Sequence, residues 1–92
     1  MPKIVTDAER QQVREAIYKK TIVLIREKGL KKVTVDDIAA AVGISKGAFY
    51  AYYPSREIGL YEVLKRSKME LFSRMAELMA EGDETHEQVE RL

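Results

Sequence analysis

The stretch GISKGAFYAYYPSRE, residues 43–57, places two glycines, one lysine and four aromatic residues within a short segment. Glycine, here Gly43, commonly ends a helix, and serine, here Ser45, commonly caps the start of the next helix. Pro54 then interrupts the chain again, because proline is not tolerated inside a helix. The segment therefore predicts a short helix over residues 45–52, joined by a tight turn to the helix before it.

Helical spacing gives residues 45–52 two different faces. Phe49 points toward a core, whereas Lys46, Gly47 and Tyr50 lie on another face. A core face would not carry lysine and glycine, but a helix in the DNA major groove would, because small residues let its backbone approach the base edges. Lysine donates to guanine or phosphate, and the tyrosine hydroxyl donates to phosphate. This face is therefore a candidate DNA-reading surface.

The rest of the chain predicts further helices and no strand, so we expect an all-α fold. Helix starts are indicated by hydroxyl residues that can accept from a backbone N–H of the first turn. The second and third helices form a helix-turn-helix arrangement, although any small helical bundle has similar corners. The predicted bounds are residues 6–28, 34–43, 45–52 and 55–81, with a helix end at Gly82 and Asp83 and the start of a fifth helix after them.

The charge distribution is uneven along the chain. Residues 1–56 hold 11 Lys and Arg against 6 Asp and Glu, whereas residues 57–92 hold 5 against 9. A basic front suits a polyanionic partner, but a chance distribution over solvated helices gives the same numbers. The starts of the second and fourth helices, at Thr34 and Arg56, would extend a phosphate clamp around the third helix together with Tyr52 or Tyr53.

The sequence lacks the residues that several classes of function require. The chain has no cysteine, and its one histidine, His86, lies in an acidic run where we expect a solvated surface residue. No nucleophile–base set or glycine-rich phosphate loop is present, so we expect no enzyme, no metal site and no cofactor. There is neither a membrane-spanning apolar run nor a signal peptide, so we expect a soluble cytoplasmic protein.

From Gly29 to Val63 the chain resembles the DNA-binding domain of the TetR family of bacterial and archaeal transcriptional regulators, above all in TVDDIAAAVGISKGAFYAYYPSRE. With its flanking helices the resemblance covers about 60 of the 92 residues. It implies a homeodomain-like three-helix DNA-binding domain in residues 1–55. It implies that residues 56–92 are a linker helix and the start of a truncated C-terminal effector and dimerisation domain.

The resemblance also implies partners and contacts. The partners are double-stranded operator DNA, a second copy of the chain in a homodimer, and a small-molecule effector in the full-length parent, which is expected to be a repressor. The third helix would lie in the major groove, with phosphate contacts at the starts of the second and fourth helices. The residues expected to contact DNA are Thr34, Ser45, Lys46, Gly47, Ala48, Tyr50, Tyr52 and Arg56.

The chain departs from the family pattern at four points. Lys20 and Thr21 stand where small apolar residues are usual. Gly59 replaces a leucine and is expected to soften the fourth helix, and Tyr53 replaces a phenylalanine and is expected in the core. The family's members are longer, so we expect this chain to be a fragment.

The fourth helix carries an apolar stripe that three preceding helices cannot cover, including Leu71 and Met75. We expect the chain to self-associate through this stripe. The alternative function is a protein-interaction module that binds a partner through the stripe and has lost DNA binding. Acidic or bulky apolar residues at positions 46, 47 and 50 would favour that alternative, and the chain has Lys, Gly and Tyr there.

Overall fold

The computed structural model describes residues 6–91, with side chains as far as Glu81. Within this range the chain forms four α-helices and one 3-10 turn and no strand, which confirms the all-α prediction. The expectation for His86 lies outside the described side chains. The elements are α1 (Asp7–Lys28), the 3-10 turn (Leu30–Lys32), α2 (Val35–Val42), α3 (Lys46–Tyr52) and α4 (Arg56–Arg91).

Each helix begins after the hydroxyl residue that the sequence predicted as its cap. The hydroxyl oxygens of these residues accept hydrogen bonds of 3.0 or 3.1 Å from the backbone N–H three positions later. Such bonds satisfy donors that have no partner within the first helical turn. The four caps are Thr6, Thr34, Ser45 and Ser55.

Gly43 forms the turn between α2 and α3. Its backbone is left-handed, with φ 85° and ψ 32°, a conformation that glycine adopts without steric cost. Its N–H donates to the Ala39 carbonyl at 2.9 Å, and the next residue, Ile44, packs against the core. The helix-turn-helix arrangement is therefore present as the sequence indicated.

The core closes around the ring of Phe49, which has no exposed surface. The predicted inward orientation of Phe49 is therefore confirmed. Buried side chains reach this core from every helix and from the segment that leads into α2, so the first turns of α4 belong to the same packed unit as α1–α3. The core cluster consists of Ile17, Val33, Val35, Ile38, Phe49 and Leu60.

Gly59 allows α4 to lie directly against Phe49. A Cβ atom at this position would stand 2.7 Å from Cζ of Phe49 and 3.4 Å from Cβ of Tyr53. The Phe49 ring is fully buried, so moving it would disturb the rest of the core. The sequence predicted only a softer helix here, whereas the structure gives Gly59 a packing role.

Thr21 lies in the core side of α1 and is fully buried. Its hydroxyl has no hydrogen-bond partner in the structure. Burying an unsatisfied hydroxyl costs about 1–3 kcal/mol in protein mutational data. This departure from the family pattern therefore reduces stability, whereas the neighbouring Lys20 is exposed and keeps its charge in solvent.

A polar cluster ties α4 to α1. Nη2 of Arg66 donates to both carboxylate oxygens of Glu15 at 2.7 and 2.9 Å, and Nε donates to Glu70 at 3.0 Å. The guanidinium carbon lies 4.0 Å from the centre of the Tyr18 ring, whose hydroxyl donates to Glu70 at 2.9 Å. The Tyr18 hydrogen bond, followed by that of Arg66, lowers the pKa of Glu70. The cluster orients α4 as it leaves the core.

The predicted helix end at Gly82 and Asp83 is wrong, and so is the separate fifth helix, because α4 continues to Arg91 as one helix of 36 residues. One glycine inside a helix costs only about 1 kcal/mol relative to alanine. No proline follows it, and strong helix formers stand on both sides, Ala80 and Glu81 before it and Glu84 after it. These flanking preferences outweigh the single glycine.

The far half of α4 exposes the predicted apolar stripe. Each of its large apolar residues has between 43% and 64% of its surface exposed, although residues of this type are usually buried in a core. At 36 residues α4 is about 54 Å long, which takes its far half beyond the reach of the packed helices. The exposed residues are Leu71, Phe72, Met75, Leu78 and Met79.

Candidate nucleic-acid interface

The outer face of α3 is made of residues with almost no side chain. Phe49 points inward, so at 100° per residue Gly47 and Ala51 point away from the core. Both are exposed. Tyr50, whose side chain is 42% exposed, flanks this face on one edge, and Tyr52 flanks it on the other. The helix backbone is therefore accessible between two tyrosine rings.

Lys46 lies on the edge of α3 that faces α2. Its ammonium group is 3.6 Å from a carboxylate oxygen of Asp36, and both side chains are mostly exposed. An exposed ion pair of this kind contributes little stability. Lys46 can therefore leave Asp36 for another anion at small cost, while Asp36 places one negative charge beside the same surface.

Thr34 starts α2 within a complete capping box. Its hydroxyl accepts from the Asp37 N–H at 3.0 Å, and the Asp37 carboxylate accepts from the Thr34 N–H at 3.0 Å. The Lys28 ammonium also donates to Asp37 at 2.8 Å, and these donors, Lys28 first, lower the pKa of Asp37 to about 2. The Thr34 hydroxyl proton is not used in the box, so the side chain can still donate to a phosphate.

Arg56 has partners that the sequence did not predict. Its Nε donates to the Val33 carbonyl at 2.6 Å, and Nη2 donates to the carbonyls of Leu30 and Lys31 at 2.9 and 3.3 Å. Its Nη1 donates to the carboxylate of the adjacent Glu57 at 3.1 Å. Arg56 therefore joins the 3-10 turn to α4, and one Nη1 proton remains outside these bonds.

The tyrosines of α3 and its end divide between core and surface. Tyr53 is half-buried, its ring centre lies 5.6 Å from that of Phe49, and burial raises the pKa of its hydroxyl. Its predicted core position is confirmed. Tyr50 contacts Phe49 edge-on, with ring centres 5.7 Å apart, yet remains exposed. Ser45 is exposed as well, and its oxygen accepts from the Ala48 N–H.

The basic end of α1 was not predicted from the sequence to lie at this surface. Arg10 and Arg14 line a concave groove of about 450 Å³ together with Ala48, Ala51 and Tyr52 of α3. The guanidinium carbon of Arg14 lies 5.7 Å from the centre of the Tyr52 ring. Their spacing of four residues places both arginines on one helix face, but only the packing of α1 against α3 brings that face to the candidate interface.

The described part of the chain contains no group of three or more His, Asp or Glu side chains placed to hold a metal ion. Among the described helices, none is both long enough and apolar enough to cross a membrane.

This geometry defines a class of protein, the helix-turn-helix domains, and here the second helix of the motif has small, exposed residues on its outer face. Residues 17–58 match the family model described as bacterial regulatory proteins, tetR family. Residues 17–58 are therefore similar to the N-terminal domain of tetR-family regulators. The resemblance seen in the sequence is confirmed by this match.

Three named proteins have sequences similar to that of this chain. The nucleoid occlusion factor SlmA of Glaesserella parasuis serovar 5 is 36% identical over 73 residues, which cover 79% of this chain and 35% of SlmA. The HTH-type transcriptional repressor KstR2 of Rhodococcus jostii is 36% identical over 69 residues, covering 75% of this chain and 34% of KstR2. An uncharacterized HTH-type transcriptional regulator, YuxN of Bacillus subtilis, is 36% identical over 67 residues, which cover 73% of this chain and 23% of YuxN.

The chain spans about a third of the length of SlmA and KstR2. The relatives' names denote transcriptional regulators and a nucleoid occlusion factor rather than enzymes. No solved structure gives a significant match to the chain.

Proposed function

We propose that this chain is the sequence-specific DNA-binding part of a transcriptional repressor, with α3 in the major groove of double-stranded DNA. The observation that carries the proposal is the outer face of α3, where Gly47 and Ala51 leave the backbone bare between Tyr50 and Tyr52. The groove is about 12 Å wide and admits one helix. The tetR-family domain match supports the same reading.

Contacts to phosphate would surround the recognition helix. The free hydroxyl protons of Thr34 and Ser45, the ammonium of Lys46 and the hydroxyls of Tyr50 and Tyr52 are donors of the type that position proteins on duplex DNA. Gly47 and Ala48 would let the backbone approach the bases. Arg56 contributes mainly by holding the 3-10 turn against α4, with its remaining Nη1 proton available to a phosphate.

The assembly in which this part works is also a proposal. We infer that residues 1–55 are the DNA-binding domain and that 56–92 begin a C-terminal effector and dimerisation domain, as in a homodimeric regulator with a small-molecule effector. We place it in the cytoplasm, on the nucleoid. The exposed apolar stripe of α4 supports self-association, because a contiguous apolar surface of this kind is typical of an interface.

DNA binding can be tested by measuring the affinity of the chain for mixed-sequence duplex DNA at several salt concentrations. We expect binding that weakens steeply with salt, since each phosphate contact releases counterions. Lys46→Gln should weaken binding and reduce the slope by about 0.9, the amount expected for one lost contact. The matched control is Lys65→Gln on α4, which should leave the slope unchanged. An equal effect of both variants would contradict the proposed surface.

Gly47→Ala separates folding from binding. The nearest non-neighbouring atom to a Cβ at this position is Oγ of Ser45 at 3.9 Å, so the free protein has room for a methyl group. Alanine is the better helix former by about 1 kcal/mol, so the variant should be at least as stable as the parent chain. If the backbone approaches the bases, its DNA affinity should nevertheless fall. Unchanged affinity would argue against a closely seated recognition helix.

Self-association can be tested by sedimentation of a Leu71→Glu, Met75→Glu variant. We expect the parent chain to have a larger mass than a monomer and the variant to sediment as a monomer, because two carboxylates would be buried in the interface. An unchanged mass would rule out the stripe of α4 as the interface.

A further inference from the structure

The groove between α1 and α3 combines small apolar side chains with two arginines. Its lining combines the small side chains of Ala48 and Ala51 with the guanidinium groups of Arg10 and Arg14. Tyr52 lines it as well, and the guanidinium carbon of Arg14 lies 5.7 Å from its ring centre. Small residues beside two cations make a surface that a bulky anion can approach without steric obstruction.

Both arginines are exposed, and neither forms an ion pair with a carboxylate of the described residues. The contrast with the other arginines is clear, because Arg66 is held by Glu15 and Glu70, and Arg56 by backbone carbonyls. Arg10 and Arg14 therefore keep most of their donors for a partner. Guanidinium groups bind phosphate in a bidentate manner, and Tyr52 restricts the orientation of Arg14 before any partner binds.

The groove lies on the opposite edge of α3 from Lys46. Lys46 and Asp36 mark the α2 edge, and Tyr52 with Arg14 marks the α1 edge. Gly47 and the other bare positions of α3 lie between them. A helix in the major groove has one sugar–phosphate backbone on each side, about 12 Å apart, so each edge of α3 would face a different DNA strand.

We propose that Arg10 and Arg14, together with Tyr52, bind the phosphates of the DNA strand that runs along the α1 edge of α3. The strand on the α2 edge meets Thr34 and Lys46. α1 then contributes directly to DNA binding, in addition to its role in the core. This inference rests on the proposed function, because it requires α3 to lie in the major groove. The chemistry recognised is that of the phosphodiester backbone, so these contacts add affinity without base preference.

The test is the double variant Arg10→Gln, Arg14→Gln, compared with the control Lys19→Gln, Arg26→Gln. The control removes the same two charges from exposed positions on the other side of α1, which face α4 rather than α3. All four side chains are exposed, so both variants should fold like the parent chain. The measurement is the affinity for mixed-sequence duplex DNA between low and moderate salt.

We expect Arg10→Gln, Arg14→Gln to bind at least tenfold more weakly than the control at low salt and to reduce the salt slope by about 1.8, the value for two lost phosphate contacts. A double variant that matches its control overturns the inference. If Lys46→Gln still weakens binding in that case, the proposed function stands and only the α1 contact is lost. If the parent chain shows no salt-dependent binding and Lys46→Gln changes nothing, the proposed function and this inference both fail.

A second readout identifies the contact itself. The Nε–H signals of Arg10 and Arg14 in NMR spectra should shift on addition of duplex DNA, whereas the signal of Arg26 should not. Shifts of all three signals to the same extent would indicate a general response to the polyanion and would overturn the assignment of this groove.

Discussion

The two halves of α4 carry similar apolar residues in opposite surroundings. Leu60 and Val63 in the first turns are buried against the three-helix unit, whereas Leu71 and Leu78 further along have more than half of their surface exposed. The residue types and the helical spacing do not differ between these halves. What differs is the presence of α1 and Phe49 beside the first turns. Burial is therefore decided by the elements that pack against a helix, and a pattern of apolar residues alone does not reveal it.

The largest difference between the halves should appear in a matched pair of variants. Leu60→Ala removes a buried side chain and should destabilise the chain by about 2–5 kcal/mol. Leu71→Ala removes the same atoms from an exposed position and should change stability of the monomer by no more than about 0.5 kcal/mol. Urea unfolding at low protein concentration measures both. Similar losses for the two variants would show that the far half of α4 is buried in solution.

Gly59→Ala sharpens the comparison within the buried half. Helix propensity alone would stabilise this variant, but the added Cβ overlaps the Phe49 ring, and overpacking typically costs about 1–3 kcal/mol. We therefore expect a net loss of stability by urea unfolding. Combining it with Phe49→Leu, which removes the overlapping ring atoms, should give less than the sum of the two single losses. A stabilised Gly59→Ala variant would contradict the close approach of α4.

Thr21→Val tests the effect of the buried, unsatisfied hydroxyl of Thr21 on stability. The substitution keeps the side-chain shape and removes a hydroxyl that has no partner, so it should stabilise the chain by about 1 kcal/mol. The reverse exchange at the exposed Val23, Val23→Thr, should change stability by less than about 0.5 kcal/mol. Thermal unfolding of both variants checks the prediction. A destabilised Thr21→Val would mean that the hydroxyl has a hydrogen-bond partner.

The substitution Asp37→Asn is expected to give the smallest change in stability, and this change depends on pH. Hydrogen bonds from Lys28 and Thr34 lower its pKa from 3.8 to about 2. A carboxyl whose pKa is lowered by folding stabilises the fold at pH values above its ordinary pKa. This contribution is lost as the pH falls through about 2. The difference in Tm between the parent chain and Asp37→Asn should therefore be constant above pH 5 and shrink toward pH 2. A difference that is independent of pH would contradict the capping-box geometry.

The sequence predicted the local parts of this structure well, because caps and turns depend on residues three or four positions apart. Ser45 and Gly43 mark the start and the preceding turn of α3 in this way, and the inward position of Phe49 follows from helical spacing. The helix end assigned to Gly82 failed, since a lone glycine is a weak signal against strong helix formers on both sides.

Features that depend on distant residues were not predictable from spacing. Arg56 binds the carbonyl of Val33, 23 positions earlier in the chain, and Gly59 is explained only by the ring of Phe49 above it. Arg10 and Arg14 join the candidate interface because α1 crosses beside α3. In each case the chemistry was visible in the sequence, but the neighbour that gives it a role comes from the packing.

The most direct test of the DNA-binding account is NMR mapping of the 92-residue chain during titration with duplex DNA. We predict that backbone shifts concentrate on Lys46–Tyr52, on the start of α2 and on the first turns of α1, with the residues around Leu78 unaffected. Shifts confined to the apolar stripe of α4, or no shifts at any DNA concentration, would contradict it.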